Sequence, residues 1–126
     1  MKTVEWAVLL IDHGSRRLDA HEGLISAAET LAQVLRNRGQ PSIVEIAHME
    51  LVEPSIAQAI ERCVEQGAVR IKVVPCFLSR GRHVTEDVPA QLNLAAQTHP
   101  QLRIEMSPPL LELPGFIAML ADHLIG

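Results

Sequence analysis

Aromatic residues are nearly missing from this 126-residue chain: Trp6, Phe77 and Phe116 are the whole set. The core must therefore be aliphatic, and a surface that stacks the bases of a single strand is disfavoured. Basic residues do not prevail either. Eleven Lys and Arg face 15 Asp and Glu, a formal charge of −4, which leaves no basic footprint for a nucleic acid. No apolar run approaches the roughly 20 residues that span a bilayer. The start, Met1-Lys2-Thr3-Val4, lacks the layout of a secretory leader. Two cysteines, Cys63 and Cys76, form no Cys-x-x-Cys and suit a reducing compartment, so a cytoplasmic protein is expected. A Gly-x-Gly-x-x-Gly fingerprint is absent, and with it the usual sign of a dinucleotide site.

What is present is an ordinary globular balance, 48% hydrophobic and 21% charged, enough for one domain over residues 1–126. The periodicity alternates between strand and helix. A first strand is expected from about Val4 to Ile11, apolar at almost every position, as in a strand buried on both faces. A helix follows from about Asp19 to Arg38, with Leu24, Ala28, Leu31 and Leu35 in one stripe and Gly39 as its stop. The second strand covers about Ser42 to Met49. Pro54 then suits the first turn of a helix that buries Ile56, Ala59, Ile60, Cys63 and Val64. The third strand, about Val69 to Cys76, loses regular pairing near Pro75.

Thr85 is the expected N-cap of a third helix over about Glu86 to Gln97. The fourth strand, Leu102 to Met106, alternates apolar and charged residues like an edge strand. The last helix is expected to turn Leu113, Phe116, Ile117, Leu120 and Leu124 inward. Four strands separated by helices give an α/β fold, a parallel sheet with helices on both faces. The expected order is 2-1-3-4, which puts the reversal between strands one and three.

Ligands of such sheets bind beyond the carboxyl ends of the strands, at the reversal. His13 follows the first strand and His83 the third, each in a loop leading into a helix. A neutral imidazole binds a transition metal or takes a proton near neutral pH. Gly14 removes bulk beside His13 and permits a ligand's close approach. Glu50 ends the second strand and offers a carboxylate to a nitrogen–oxygen metal site. His48, two positions earlier, shares its face if the strand stays extended. Arg16, Arg17, Arg80 and Arg82, with Ser15, lie in the two histidine loops, a cluster that fits an anionic ligand. His21, His99 and His123 read as surface or helix-end residues, and Cys76 as a small buried one.

Three segments carry a resemblance. Leu10-Ile11-Asp12-His13-Gly14-Ser15-Arg16, Met49-Glu50-Leu51-Val52-Glu53-Pro54-Ser55 and the run from Pro75 to Pro89 resemble, in order and spacing, the CbiX/SirB family of class II tetrapyrrole chelatases. The resemblance implies a chelatase-like (flavodoxin-like) three-layer fold. It implies an enzyme that inserts a divalent metal, with cobalt, iron and nickel as candidates, into sirohydrochlorin for cobalamin or sirohaem. His13 and His83 become the metal-binding, catalytic pair, Glu50 their acidic partner, and the loop arginines the holders of the macrocycle's carboxylates. No organic cofactor is implied. A chain this short implies a homodimer if it is to form the cleft that two-domain members make. His48 departs from the family pattern, which carries an apolar or aromatic residue there. A non-catalytic metal or tetrapyrrole carrier would use the same residues. A phosphoryl-transfer enzyme with His13 as nucleophile and a flavodoxin-like regulatory domain are weaker alternatives.

Overall fold

The computed structural model describes residues 6–126, with His83 described by its backbone alone; the expected strand positions Val4 and Glu5 lie outside the described residues. Strand β1 (Trp6–Asp12) leads to helix α1 (Leu18–Asn37), β2 (Val44–His48) to α2 (Ile56–Glu65), and β3 (Arg70–Pro75) to α3 (Val88–Ala96). Strand β4 (Arg103–Met106) precedes α4 (Phe116–Ile125). The strands form one parallel sheet in the order β2-β1-β3-β4. The reversal falls between β1 and β3, as the sequence predicts.

The direction of each crossover decides which face its helix covers. A right-handed β-α-β connection puts its helix on opposite faces when the chain steps in opposite directions along the sheet. The step from β1 to β2 runs one way, and α1 packs Leu24 and Ala28 on Val8, Leu10 and Ile46. The steps from β2 to β3 and on to β4 run the other way. There α2 and α3 pack Ile56, Ile60, Val88 and Leu92 on Leu9, Ile11, Ile71 and Val73. Alternate residues of β1 thus enter two aliphatic cores, which is why that strand is apolar from Trp6 to Ile11.

Register lines up the functional ends. Asp12 pairs with His48 across β1 and β2, and Ile11 with Pro75 across β1 and β3. The loops that follow these three strands therefore emerge side by side. Gly39, with φ of 71°, ends α1 in the left-handed conformation as expected.

Three local expectations are corrected. Pro54 does not start α2; it follows a cis peptide bond and precedes the N-cap, Ser55. Ser55 accepts from the Gln58 N–H, while the Gln58 side chain accepts from the Ser55 N–H, a reciprocal capping box. Thr85 does not cap α3, because its hydroxyl donates to the Gly81 carbonyl. It lies inside a π-helical turn (His83–Asp87) that runs directly into α3, where the wider turn replaces a capped start.

The third correction concerns α4. None of its residues is buried, and Ile117 and Leu124 are 60% and 78% exposed. The apolar periodicity is real, but no face of the helix lies on this chain's own sheet. Its neighbour is the short turn Leu110–Glu112. Among the described residues no helix is long and apolar enough to cross a membrane.

Candidate metal and tetrapyrrole site

The β1 and β2 loops are interlocked by backbone. Met49 N–H donates to the Asp12 carbonyl at 2.9 Å and Glu50 N–H to the His13 carbonyl at 3.2 Å. These bonds extend the β1–β2 ladder past the last strand residues. Gly14 adopts φ of 102°, and a Cβ there would collide with the Glu50 carbonyl oxygen. Glycine is required at this position on both counts. Leu51, with φ of 75°, then turns the chain away from the strand direction. Gln91 of α3 fixes the same loop from behind by donating to the Met49 carbonyl at 3.2 Å.

This interlock sets His13 against Glu50. The Nε2 of His13 lies 2.9 Å from Glu50 Oε1, with the two side chains 44% and 52% exposed. An imidazole and a carboxylate thus meet at the carboxyl edge of the sheet, within reach of a ligand from solvent. The β3 loop is braced separately. Leu110 N–H donates to the Phe77 carbonyl and Leu111 N–H to that of Leu78. Gly81 offers its carbonyl to the N–H groups of Val84 and Thr85. The backbone of His83 opens the π-helical turn just beyond, and its side chain lies outside the described residues. Such turns recur at functional sites.

The loop arginines are exposed and mostly matched to acids. Arg17 pairs with Asp19 at 3.2 Å, Arg80 with Glu112 at 2.9 Å, and Arg82 with Glu86 at 3.6 Å. The Arg17 guanidinium holds the Asp19 carboxyl below its usual range. Arg16 and Ser15 line a small surface cavity with Arg17 and His21. Exposed pairs of this kind contribute little stability and exchange partners readily. They leave the guanidiniums available to an anion that offers better geometry.

His48 does not join Glu50. Strand β2 ends at His48 and the chain bends at Met49, so the two side chains part. His48 is 1% exposed. Its Nδ1 lies 2.6 Å from Asp12 Oδ1 and its Nε2 lies 2.8 Å from His21 Nδ1. His21 is thus a tertiary partner, not the surface residue its helical position predicts. His99 likewise is bonded to Glu61 at 2.8 Å. The sequence signal for the first contact is the parallel register that sets Asp12 opposite His48; the second depends on how α1 crosses the sheet.

The cysteines offer no nucleophile. Both are free thiols. Burial pushes the Cys63 thiol up to about 12 and that of Cys76 up to about 11, helped in the second by the nearby Asp12 carboxylate.

Comparison with known proteins bears on the family and the fold. The family model CbiX matches residues 7–125. A sirohydrochlorin cobaltochelatase of Methanocaldococcus jannaschii is 44% identical over 74% of this chain and 62% of its own length. Among solved structures, SirB from Bacillus subtilis with Fe3+ superposes with a TM-score of 0.75 at 33% identity, over 84% of this chain and 40% of that one. A CbiX protein of Marinobacter aquaeolei VT8, named for cobalamin (vitamin B12) biosynthesis, gives 0.75 at 30% identity over 95% and 94%. The chain thus spans under two thirds of the curated relative's length but nearly all of the Marinobacter structure. A family model that matches nearly the whole chain, with solved CbiX and SirB structures sharing the fold, shows that the chain belongs to the CbiX family.

Proposed function

We propose that the chain is a sirohydrochlorin chelatase that exchanges two pyrrole protons for one divalent metal ion, with cobalt first and iron or nickel as alternatives. The observation that carries the reading is the His13–Glu50 pair, 2.9 Å apart and half exposed at the carboxyl edge of the sheet, in a chain of the CbiX family. The cobaltochelatase at 44% identity supports cobalt; a site of imidazole and carboxylate is compatible with all three metals.

The chemistry follows from the donor set. Metal–nitrogen and metal–oxygen bonds of about 2.1 Å to two atoms 2.9 Å apart enclose an angle of about 90°. The pair therefore fits two adjacent positions of one octahedral ion and leaves the others for water or pyrrole nitrogens. In the absence of metal, the Nε2–H of His13 donates to the Glu50 carboxylate. Binding of the ion through Nε2 displaces that proton to solvent. As the macrocycle takes the metal over, each pyrrole N–H that becomes a metal–nitrogen bond releases one proton, and the bonds from the ion to His13 and Glu50 break. The lone pairs so freed on Glu50 and His13 are the bases nearest the edge to receive the two pyrrole protons. His83, whose backbone opens the turn after the β3 loop, is the second imidazole of this reading. Arg16, Arg17, Arg80 and Arg82, with Ser15, hold the carboxylates of the substrate.

The reading takes the chain as one domain and its working form as a homodimer. One feature supports the dimer. Helix α4 presents an apolar face that its own sheet does not cover, which a second copy of the chain would bury.

The test is anaerobic absorbance of sirohydrochlorin in large excess over protein, with cobalt, iron and nickel supplied separately and uncatalysed insertion subtracted. Many turnovers per chain are expected. Stoichiometric binding without turnover would instead identify a carrier.

A further inference from the structure

We propose that His48 is a positioning residue, clamping the loop that bears His13 between Asp12 and His21. The proposal rests on the chelatase reading for its effect on rate, but the clamp itself is a property of the fold.

Burial of an imidazole is costly unless both ring nitrogens are bonded. His48 is the buried polar or charged residue among the described ones, and both its nitrogens have partners. The carboxylate of Asp12 can only accept, so His48 Nδ1 carries a proton. A second N–H lies between His48 Nε2 and His21 Nδ1, 2.8 Å apart, and either ring can supply it. Both ring nitrogens of His48 are satisfied in either case. The two rings sit 5.0 Å apart between centroids.

The clamp acts beyond Gly14, where the interlock with the β2 loop ends and the segment has little else to hold it. Helix α1 lacks a side-chain cap, since Arg17 at the N-cap makes no such bond. Residues 16–20 are all exposed, and the first residue of α1 buried in the core is Leu24. Going along the chain from Asp12, the next anchorage on the sheet's α1 face is therefore His21. A ring closes from Asp12 through His48 to His21 and back along residues 13–20. That segment contains His13, Ser15, Arg16 and Arg17. The clamp therefore restrains the metal-binding imidazole and two anion-binding guanidiniums together. Outer partners that orient metal-binding residues typically contribute ~10–100-fold to affinity or activity.

The experiment compares the wild-type protein with His21→Ala, His48→Leu, the double variant and His21→Asn. The readouts are insertion kinetics, direct Co2+ titration and amide hydrogen exchange. His21→Ala and His48→Leu should each lower kcat/KM and Co2+ affinity by ~10-fold or more. The double variant should lose no more than the worse single one, because either substitution opens the same ring. His21→Asn, whose side-chain amide can donate or accept in place of Nδ1, should recover most of the loss. Exchange should accelerate over residues 13–20 and remain unchanged in β3. Wild-type kinetics in His21→Ala, or exchange that rises equally throughout the chain, would overturn the proposal. If the wild-type protein neither binds Co2+ nor turns over, the chelatase reading fails, and the exchange pattern alone decides whether the clamp exists.

Discussion

The carbonyl of Glu50 occupies the space that a Cβ on Gly14 would need. The loops after β1 and β2 are thereby packed backbone to backbone, and the His13–Glu50 pair is a product of that contact. Substitution Gly14→Ala meets both the steric block and the φ of 102°. A cost of about 1–3 kcal/mol in stability is expected from strain of this kind. Displacement of the pair by ~1 Å should lower insertion by ~100-fold. Denaturant unfolding and the insertion assay check the two effects; an alanine variant with wild-type values in both would show that the loops are not interlocked.

Glu50→Gln keeps the shape of the side chain and removes its charge. The expected result is weaker Co2+ binding and a kcat/KM lower by ~10–100-fold, with little change in unfolding midpoint, since the pair is half exposed. Metal titration of the variant is the direct check. Unchanged affinity would assign Glu50 to a role away from the metal.

The thiols predict an alkaline loss of stability. Both are acids that burial pushes up, to about 12 and about 11, from the ordinary thiol value of 9.0. Between pH 9 and 11 the unfolded chain has released these protons and the folded chain has kept them. The unfolded state then binds fewer protons, so stability falls as pH rises, by up to about 1.4 kcal/mol per pH unit for each thiol. Below pH 8 the effect is absent. Urea midpoints at pH 8 and pH 10.5, for wild type and a Cys63→Ala, Cys76→Ala variant, isolate it. The wild type should lose more stability across this interval than the variant; equal losses would contradict the assignment.

The uncovered face of α4 predicts association. The chain has a mass of 13.9 kDa, and light scattering should return about twice that value for the wild type. Ile117→Asp with Leu124→Asp places two charges on exposed apolar positions of α4 and should give a folded monomer. A wild-type monomer at assay concentrations, or a charged variant that still dimerises, would move the interface elsewhere.

Much of this architecture is legible in the sequence because local patterns report it. The unbroken apolar run before His13 marks a strand buried on both faces, and strand–helix alternation dictates parallel pairing. The placement of His13 and Glu50 beyond strand ends follows directly. What escaped are relations between distant residues. His48 reaches Asp12 and His21 across 36 and 27 positions, and only the sheet register and the path of α1 bring them together. A bend after His48 separates it from Glu50, although their spacing predicts a shared face. Periodicity also marks α4 as one-sided without saying which surface covers that side. Pro54 shows the same limit on a smaller scale: a proline near a helix start fits several positions, and the Ser55–Gln58 box decides among them.

The most direct test of the central claim is multiple-turnover cobalt insertion into sirohydrochlorin, compared among the wild type, His13→Ala and His83→Ala. The wild-type protein should turn over repeatedly, and both substitutions should abolish the catalysed rate while leaving the unfolding midpoint close to that of the wild type. Wild-type rates in His13→Ala would contradict the account, because the edge site built by the β1 and β2 loops would then not be where the metal enters the macrocycle.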